Sequence, residues 1–237
     1  MGPWLDVQTF SSRWELAVQN YPLRTFLIFE ASNGSVKEWT YATFDQLVNR
    51  IAHHLNDLGV RQGSSVHLAL TNSPAFVAIW IATIRLGAWI VPSDPFGTSV
   101  ELAEHISRTS PSVGIYSPSR RENYLSAKPT MPVIEINEDD MDLEMIPHKS
   151  FNLWPEISPR DRAAVMFTSG TTGQPKGVML THAGLLQFAK VSSESRQLGK
   201  ADRSYAYLPM THIFGLGTVL MASIFARSGL LMRSQFD

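Results

Sequence analysis

Between residues 65 and 136 the sequence alternates short apolar runs with helical stripes, and this alternation restricts the chain to a small set of folds. Residues 65–70, 89–91, 113–116 and 133–136 have the length and apolar character of buried strands. Between them, 74–86, 99–109 and 120–126 read as helices. Asn72 or Ser73 can cap the first of these, with Pro74 in its first turn, and Gly87 stops it. Strand–helix–strand repeats lay successive strands parallel and put helices on the sheet faces. The expected fold is α/β, with mostly parallel sheet or sheets flanked by helices from βαβ units.

The same reading extends upstream. Ser12 and Glu15 form a capping-box pattern for a short helix with Trp14, Ala17 and Val18 inward. Residues 25–30 and 37–40 read as strands joined through an Asn33-Gly34 turn. Phe44, Leu47, Val48, Ile51, Ala52, Leu55 and Leu58 make one helical stripe, with Thr43 and Gln46 as a capping box and Gly59 at its end. His53 and His54 are adjacent and so point apart, which disfavours a metal pair. Residues 137–160 break the pattern: Glu138, Asp139, Asp140, Asp142 and Glu144 cluster there, then come Pro147, Pro155 and Pro159. Their spacing is not that of a calcium loop, and the segment reads as an exposed connection. The expected division is a first α/β subdomain over 1–160, then a loop hairpin and the start of a second over 161–237. In the latter, strands at 163–166 and 178–180 flank a glycine-rich loop. A helix at 183–193 capped by Thr181, a strand at 203–208, a turn at 209–212, an apolar helix at 214–226 and a strand at 230–232 follow. No element follows that last apolar strand to cover it, so it is expected to be an open edge, shielded by self-association or by a missing half of the protein.

With 237 residues the chain can bury a sizeable core. A net charge of −1 gives no footprint for nucleic acid. The absence of cysteine excludes disulfides, thiolate metal sites and a cysteine nucleophile, and it is compatible with a cytoplasmic setting. The first residues lack the basic and apolar regions of a signal peptide. The most apolar run, 75–84, is too short for a membrane span and is interrupted by Arg85.

The chemistry concentrates at 167–177, Phe-Thr-Ser-Gly-Thr-Thr-Gly-Gln-Pro-Lys-Gly. Glycines let the backbone approach a guest closely, consecutive N–H groups form an anion-binding concavity, and hydroxyls and one lysine add donors and charge. The natural guest is a polyphosphate. A kinase-type phosphate loop needs Gly-Lys followed by Ser or Thr and a helix. Here Pro175-Lys176-Gly177 leads to Val178 and a strand, which excludes that type. A plain glycine-rich hairpin and a phosphate loop of another kind remain.

The string at 167–177 resembles the signature of the AMP-forming adenylating enzymes of acyl- and aryl-CoA synthetase type. Similar matches occur at Trp39-Thr40-Tyr41, 59–63, Asn72-Ser73-Pro74, Gly87-Ala88, Val91-Pro92 and 208–215, and His182 and His212 favour the CoA ligases. The resemblance implies ATP-dependent activation of a small carboxylic acid as acyl-adenylate, with release of pyrophosphate. Thioester formation with coenzyme A would follow, and magnesium (Mg2+) would share the phosphate charge. It assigns the phosphates to Thr168, Ser169, Gly170, Thr171, Thr172 and Lys176, with Gly173 and Gly177 shaping the loop. It puts His212 near the acyl group, with Met210, Phe214 and Gly215 as possible pocket walls. His67, His105 and His148 receive no role. The motifs that the family carries further on for adenine, ribose and a catalytic lysine are not in this sequence. The chain therefore corresponds to the front part of such an enzyme and is expected to be inactive alone. The alternative is a non-catalytic nucleotide-binding or scaffold module that keeps the fold.

Overall fold

The computed structural model describes residues 9–141, 143, 154–168 and 175–234. Two sheets organise them. A six-stranded sheet has the order β6-β5-β3-β4-β7-β8, from β3 (Ser65–Ala69), β4 (Trp89–Pro92), β5 (Val113–Tyr116), β6 (Val133–Glu135), β7 (Arg162–Thr168) and β8 (Lys176–Thr181). All its pairs are parallel except β7 with β8. A four-stranded sheet has the order β2-β1-β10-β9, from β1 (Thr25–Glu30), β2 (Val36–Thr40), β9 (Arg203–Tyr205) and β10 (Gly229–Arg233).

Helix α1 (Phe10–Asn20) is capped by Thr9, whose hydroxyl accepts from the Ser12 N–H. Helix α2 (Tyr41–Asp57) is capped by a Thr40–Thr43 capping box. Both starts lie two to three residues before the expected caps at Ser12 and Thr43. Serine and threonine recur every three residues in both places, so spacing alone does not choose among them. Helix α3 (Pro74–Arg85) is capped by Ser73 and buried along its whole length, as a helix apolar on every face must be. Its last residue, Arg85, binds Asp45 at 2.7 Å, and Asp45 also accepts from the Trp14 indole at 2.6 Å. Helix α4 (Ser99–Thr109) carries a Thr98–Glu101 capping box, and α5 (Arg121–Ser126) follows a short 3₁₀ turn. Helix α6 (His182–Ser195) is capped by Thr181.

Three expectations need correction. First, β10 is no open edge: it is paired on both sides, by β1 through Leu27 and Leu230 and by β9 through Ser204 and Leu230, and Leu230 and Met232 are buried. A partner is not required to cover it. Second, the sheets do not divide at residue 160. Strands β7 and β8 complete the first sheet, while β9 and β10 complete a sheet begun by β1 and β2. Third, the apolar segment at 214–226 is not one α-helix. Residues Phe214–Met221 form a π-helix, and α7 (Ala222–Ala226) continues it.

The described acidic residues at 138–140 are tied into the structure. Glu138 accepts from the Thr71 hydroxyl at 2.8 Å, Asp139 from the Ser32 N–H at 3.3 Å, and Asp140 from the Leu143 N–H at 3.1 Å. Asp142 and Glu144 lie outside the described residues. Among those described, no helix is long and apolar enough to cross a membrane.

Candidate functional site

A cleft of about 910 Å³ opens where strand C-terminal ends from both sheets converge. Leu70, Thr71 and Asn72 follow β3, Pro92 and 93–96 end and follow β4, and Phe167 lies near the end of β7. From the other sheet come Tyr207 and Leu208 after β9, and Arg233 and Ser234 at the end of β10. Crevices beyond the carboxyl ends of parallel strands are where open α/β sheets bind ligands. The far wall is the turn 208–215, with Thr211, His212, Phe214 and Gly215.

This turn is held by Asn72. The Asn72 amide donates to the carbonyls of Ala206 (2.9 Å) and Leu208 (2.8 Å), and its oxygen accepts from the Met210 N–H at 2.8 Å. The same contacts explain why the strand expected over 203–208 ends at Tyr205: the chain beyond it is bent onto the end of β3. His212 is exposed at the cleft, stacked on Phe214 with ring centroids 5.7 Å apart and planes 3° apart. Its Nδ1 accepts from the Phe214 N–H at 3.3 Å, so the neutral ring carries its proton on Nε2.

Of the residues expected to hold phosphate, Thr168, Lys176 and Gly177 are described. Ser169, Gly170, Thr171, Thr172 and Gly173 lie outside the described residues. Thr168 and Lys176 are register partners at the tips of β7 and β8, both exposed, and Gly177 faces Phe167 one step inward. The strand-flanked hairpin is thus in place, and Phe167 brings its first limb to the same cleft as His212. His182 is elsewhere. It is buried, its Nδ1 accepts from the Phe10 N–H at 3.3 Å, and Nε2 has no hydrogen-bond partner among the described residues.

The sequence reading passed over a buried polar chain beneath the cleft. The Tyr124 hydroxyl lies 2.8 Å from His67 Nδ1, His67 Nε2 lies 2.9 Å from Ser93 Oγ, and Ser93 Oγ lies 2.8 Å from His105 Nδ1. Ser93 and His105 line the cleft. Gly114 on β5 makes room for it, since a Cβ there would strike the Tyr124 hydroxyl and come within 2.6 Å of Met131. No short motif announces a chain drawn from β3, α4, α5 and the segment after β4.

Burial holds these imidazoles neutral. The pKa of His67 is pushed down to about 3 by desolvation, with His105 adding a little, and that of His182 to about 4 by desolvation. His105 is lowered as well, chiefly by burial. Both His67 and His182 have folded values below the unfolded value of about 6.5, so the unfolded chain takes up protons first. Their contribution is complete above about pH 6.5 and is lost as pH falls toward the folded values. Each then costs up to about 1.4 kcal/mol per pH unit. Urea midpoints measured from pH 7 to 5 should fall steadily below 6.5, before most carboxylates protonate. A flat profile over that range would contradict the buried neutral histidines.

The family model described as AMP-binding enzyme matches residues 14–237. The chain is 31% identical over 232 residues to 4-coumarate–CoA ligase 4 of Arabidopsis thaliana, covering 90% of this chain and 40% of that protein. It is 31% identical over 230 residues to a crotonobetaine/carnitine–CoA ligase of Salmonella arizonae, covering 91% of this chain and 44% of that one. Among solved structures, the inhibitor-bound N-terminal domain of FACL13 from Mycobacterium tuberculosis superposes with a TM-score of 0.83 at 26% identity, covering 98% of this chain and 58% of that one. The chain thus spans less than half the length of the two ligases, and over that span it belongs to the AMP-binding enzyme family.

Proposed function

We propose that this chain is the front part of an enzyme that activates a carboxylic acid with ATP and passes the acyl group to coenzyme A. One observation carries the reading. The strand that opens the 168–176 stretch and the turn bearing His212 face each other across one cleft at the carboxyl ends of both sheets. In the first step a carboxylate oxygen forms a bond to the α-phosphorus of ATP while the bond to the pyrophosphate oxygen breaks. An anion attacks an anionic centre, so fixed donors and positive charge must offset the repulsion. Thr168, Ser169, Gly170, Thr171, Thr172 and Lys176 would supply them, with Gly173 and Gly177 shaping the backbone. His212 would donate its Nε2 proton to a carboxylate oxygen in a hydrogen bond and hold the acid in line. In the second step the thiol sulfur of coenzyme A takes the acyl carbon and AMP leaves.

The apolar wall of Leu70, Phe167, Leu208 and Phe214 suits an apolar acyl or aryl acid. Among the described residues no group of three His, Asp or Glu is assembled for a metal. By the resemblance to the adenylating enzymes, magnesium would bind at the triphosphate and spread the phosphate charge. By the same resemblance, the motifs for adenine and ribose would lie outside this stretch.

The test is ATP–pyrophosphate exchange by the whole protein across a panel of carboxylic acids. Lys176→Ala should lower kcat/KM for ATP by an amount equivalent to about 1.5–3 kcal/mol, one charge-assisted contact. Unchanged turnover would remove Lys176 from the site. Nucleotide binding with no exchange for any acid would instead fit a non-catalytic module.

A further inference from the structure

We propose that α4 braces the phosphate stretch: His105 and Arg108 hold the two limbs of the hairpin where the chain leaves β7 and joins β8. The inference rests on the phosphate reading above and gives that site a positioning device. The two side chains are three residues apart, so they project from one face of the helix. The His105 ring lies nearly parallel to the Phe167 ring, with centroids 3.9 Å apart and planes 14° apart. The Arg108 guanidinium carbon is 5.1 Å from the same ring centroid, and Nη1 donates to the carbonyl of Pro175. Glu104, one turn back, steadies Arg108 at 3.1 Å. Phe167 pairs with Gly177 and Thr168 with Lys176, so these contacts fall on opposite limbs, at Phe167 one rung inside the last pair and at Pro175 one residue beyond it.

The brace is itself anchored. Tyr124 and His67 are buried, and among the described residues His67 Nδ1 is the hydrogen-bond partner of the Tyr124 hydroxyl. Were His67 to donate from Nδ1, the buried tyrosine proton would have nowhere to go. Proton counting therefore assigns the direction Tyr124 to His67, His67 to Ser93 and Ser93 to His105 Nδ1. The chain fixes the plane of the His105 ring, and the ring fixes Phe167. A phosphate grip works by having its donors in position before the charge develops. Holding Phe167 and Pro175 from one helix fixes where the two limbs of the hairpin stand relative to each other. His105 and Arg108 are thus positioning residues: they act through Phe167 and Pro175.

The experiment uses the whole protein and measures pyrophosphate exchange with ATP and acid varied separately. Arg108→Met and His105→Leu should each raise KM for ATP about tenfold, the size of one lost polar contact, and leave KM for the acid within about twofold. Arg108→Lys, which keeps a donor, should recover part of the loss, and Ser93→Ala should fall between parent and His105→Leu. An unchanged KM for ATP in Arg108→Met would overturn the proposal. So would an equal rise in both KM values, which would report general damage to the cleft. Because His105 is tied to the core, its variant can lose stability. Hydrogen exchange of the peptide 168–176 in Arg108→Met, an exposed position, gives an independent reading. Faster exchange there, with β3 unchanged, is expected, and identical exchange would refute the brace. If the parent shows neither ATP binding nor ATP-dependent exchange with any acid, the phosphate reading fails, while the hydrogen-exchange result still decides whether α4 holds the hairpin.

Discussion

Gly215→Ala should destabilise the chain by about 3 kcal/mol and remove adenylate formation with it. A Cβ at this position would fall on the Pro209 carbonyl and lie 2.5 Å from the oxygen of Leu208. These are backbone atoms, and Asn72 holds the Leu208 carbonyl, so no rotamer change relieves the overlap. The turn 208–215 must move, and His212 moves with it. The magnitude is that of forced overpacking that shifts backbone as well as side chains. Gly184→Ala provides the control. Its Cβ would meet only the Thr181 Oγ, at 3.3 Å, inside α6, and its stability should stay within about 1 kcal/mol of the parent. Urea unfolding and pyrophosphate exchange on both variants check the contrast. Comparable stability of the two would mean that the turn is not held as described.

Asn72→Ala should cost about 3 kcal/mol and lower turnover by an order of magnitude or more. Three hydrogen bonds disappear at once, and the Met210 N–H together with two carbonyls must find other partners. Each lost bond is worth about 1 kcal/mol, and a buried group left unpaired costs more. Asn72→Asp separates the two halves of the clamp. Its carboxylate still accepts from Met210 but cannot donate to Ala206 or Leu208, and it sets negative charge against both carbonyls. It should be no better than alanine. A stable, active Asn72→Asp protein would show that the acceptor alone positions His212.

These two residues mark where sequence reasoning stopped. Asn72 stood out as a possible helix cap beside Ser73 and as part of the Asn72-Ser73-Pro74 match, and Ser73 does the capping. The clamp role depends on which strand end meets which turn, and that meeting joins residues 134 to 138 positions apart. Local signals did better. Helix α4 and strand β5 lie at the expected residues, because a capped amphipathic stripe and a short apolar run are each legible within a dozen positions. The 214–226 segment was read as an ordinary helix because it is apolar on nearly every face. Periodicity then carries no information, while Gly215 and Gly217 admit the Pro209 carbonyl and the Phe188 ring. The reading of β10 as an edge failed for a related reason: strand order is a property of the assembled sheet. The histidine chain was hidden because its members are individually unremarkable and share no spacing.

The placement of β10 also has a consequence for how the protein is made. Its register with β1 joins Leu27 to Leu230 and Phe29 to Met232, so the four-stranded sheet closes a loop of some two hundred residues. During synthesis the β1–β2 hairpin emerges early, and its apolar inner strand must wait for some two hundred residues before its neighbour exists. Contacts of such separation form slowly, and an unpaired strand is a template for the wrong partner in the meantime. A chain halted before Gly229 would retain every residue of the six-stranded sheet and still be sticky along β1. For this protein a strand made some two hundred residues later is the one that makes β1 safe.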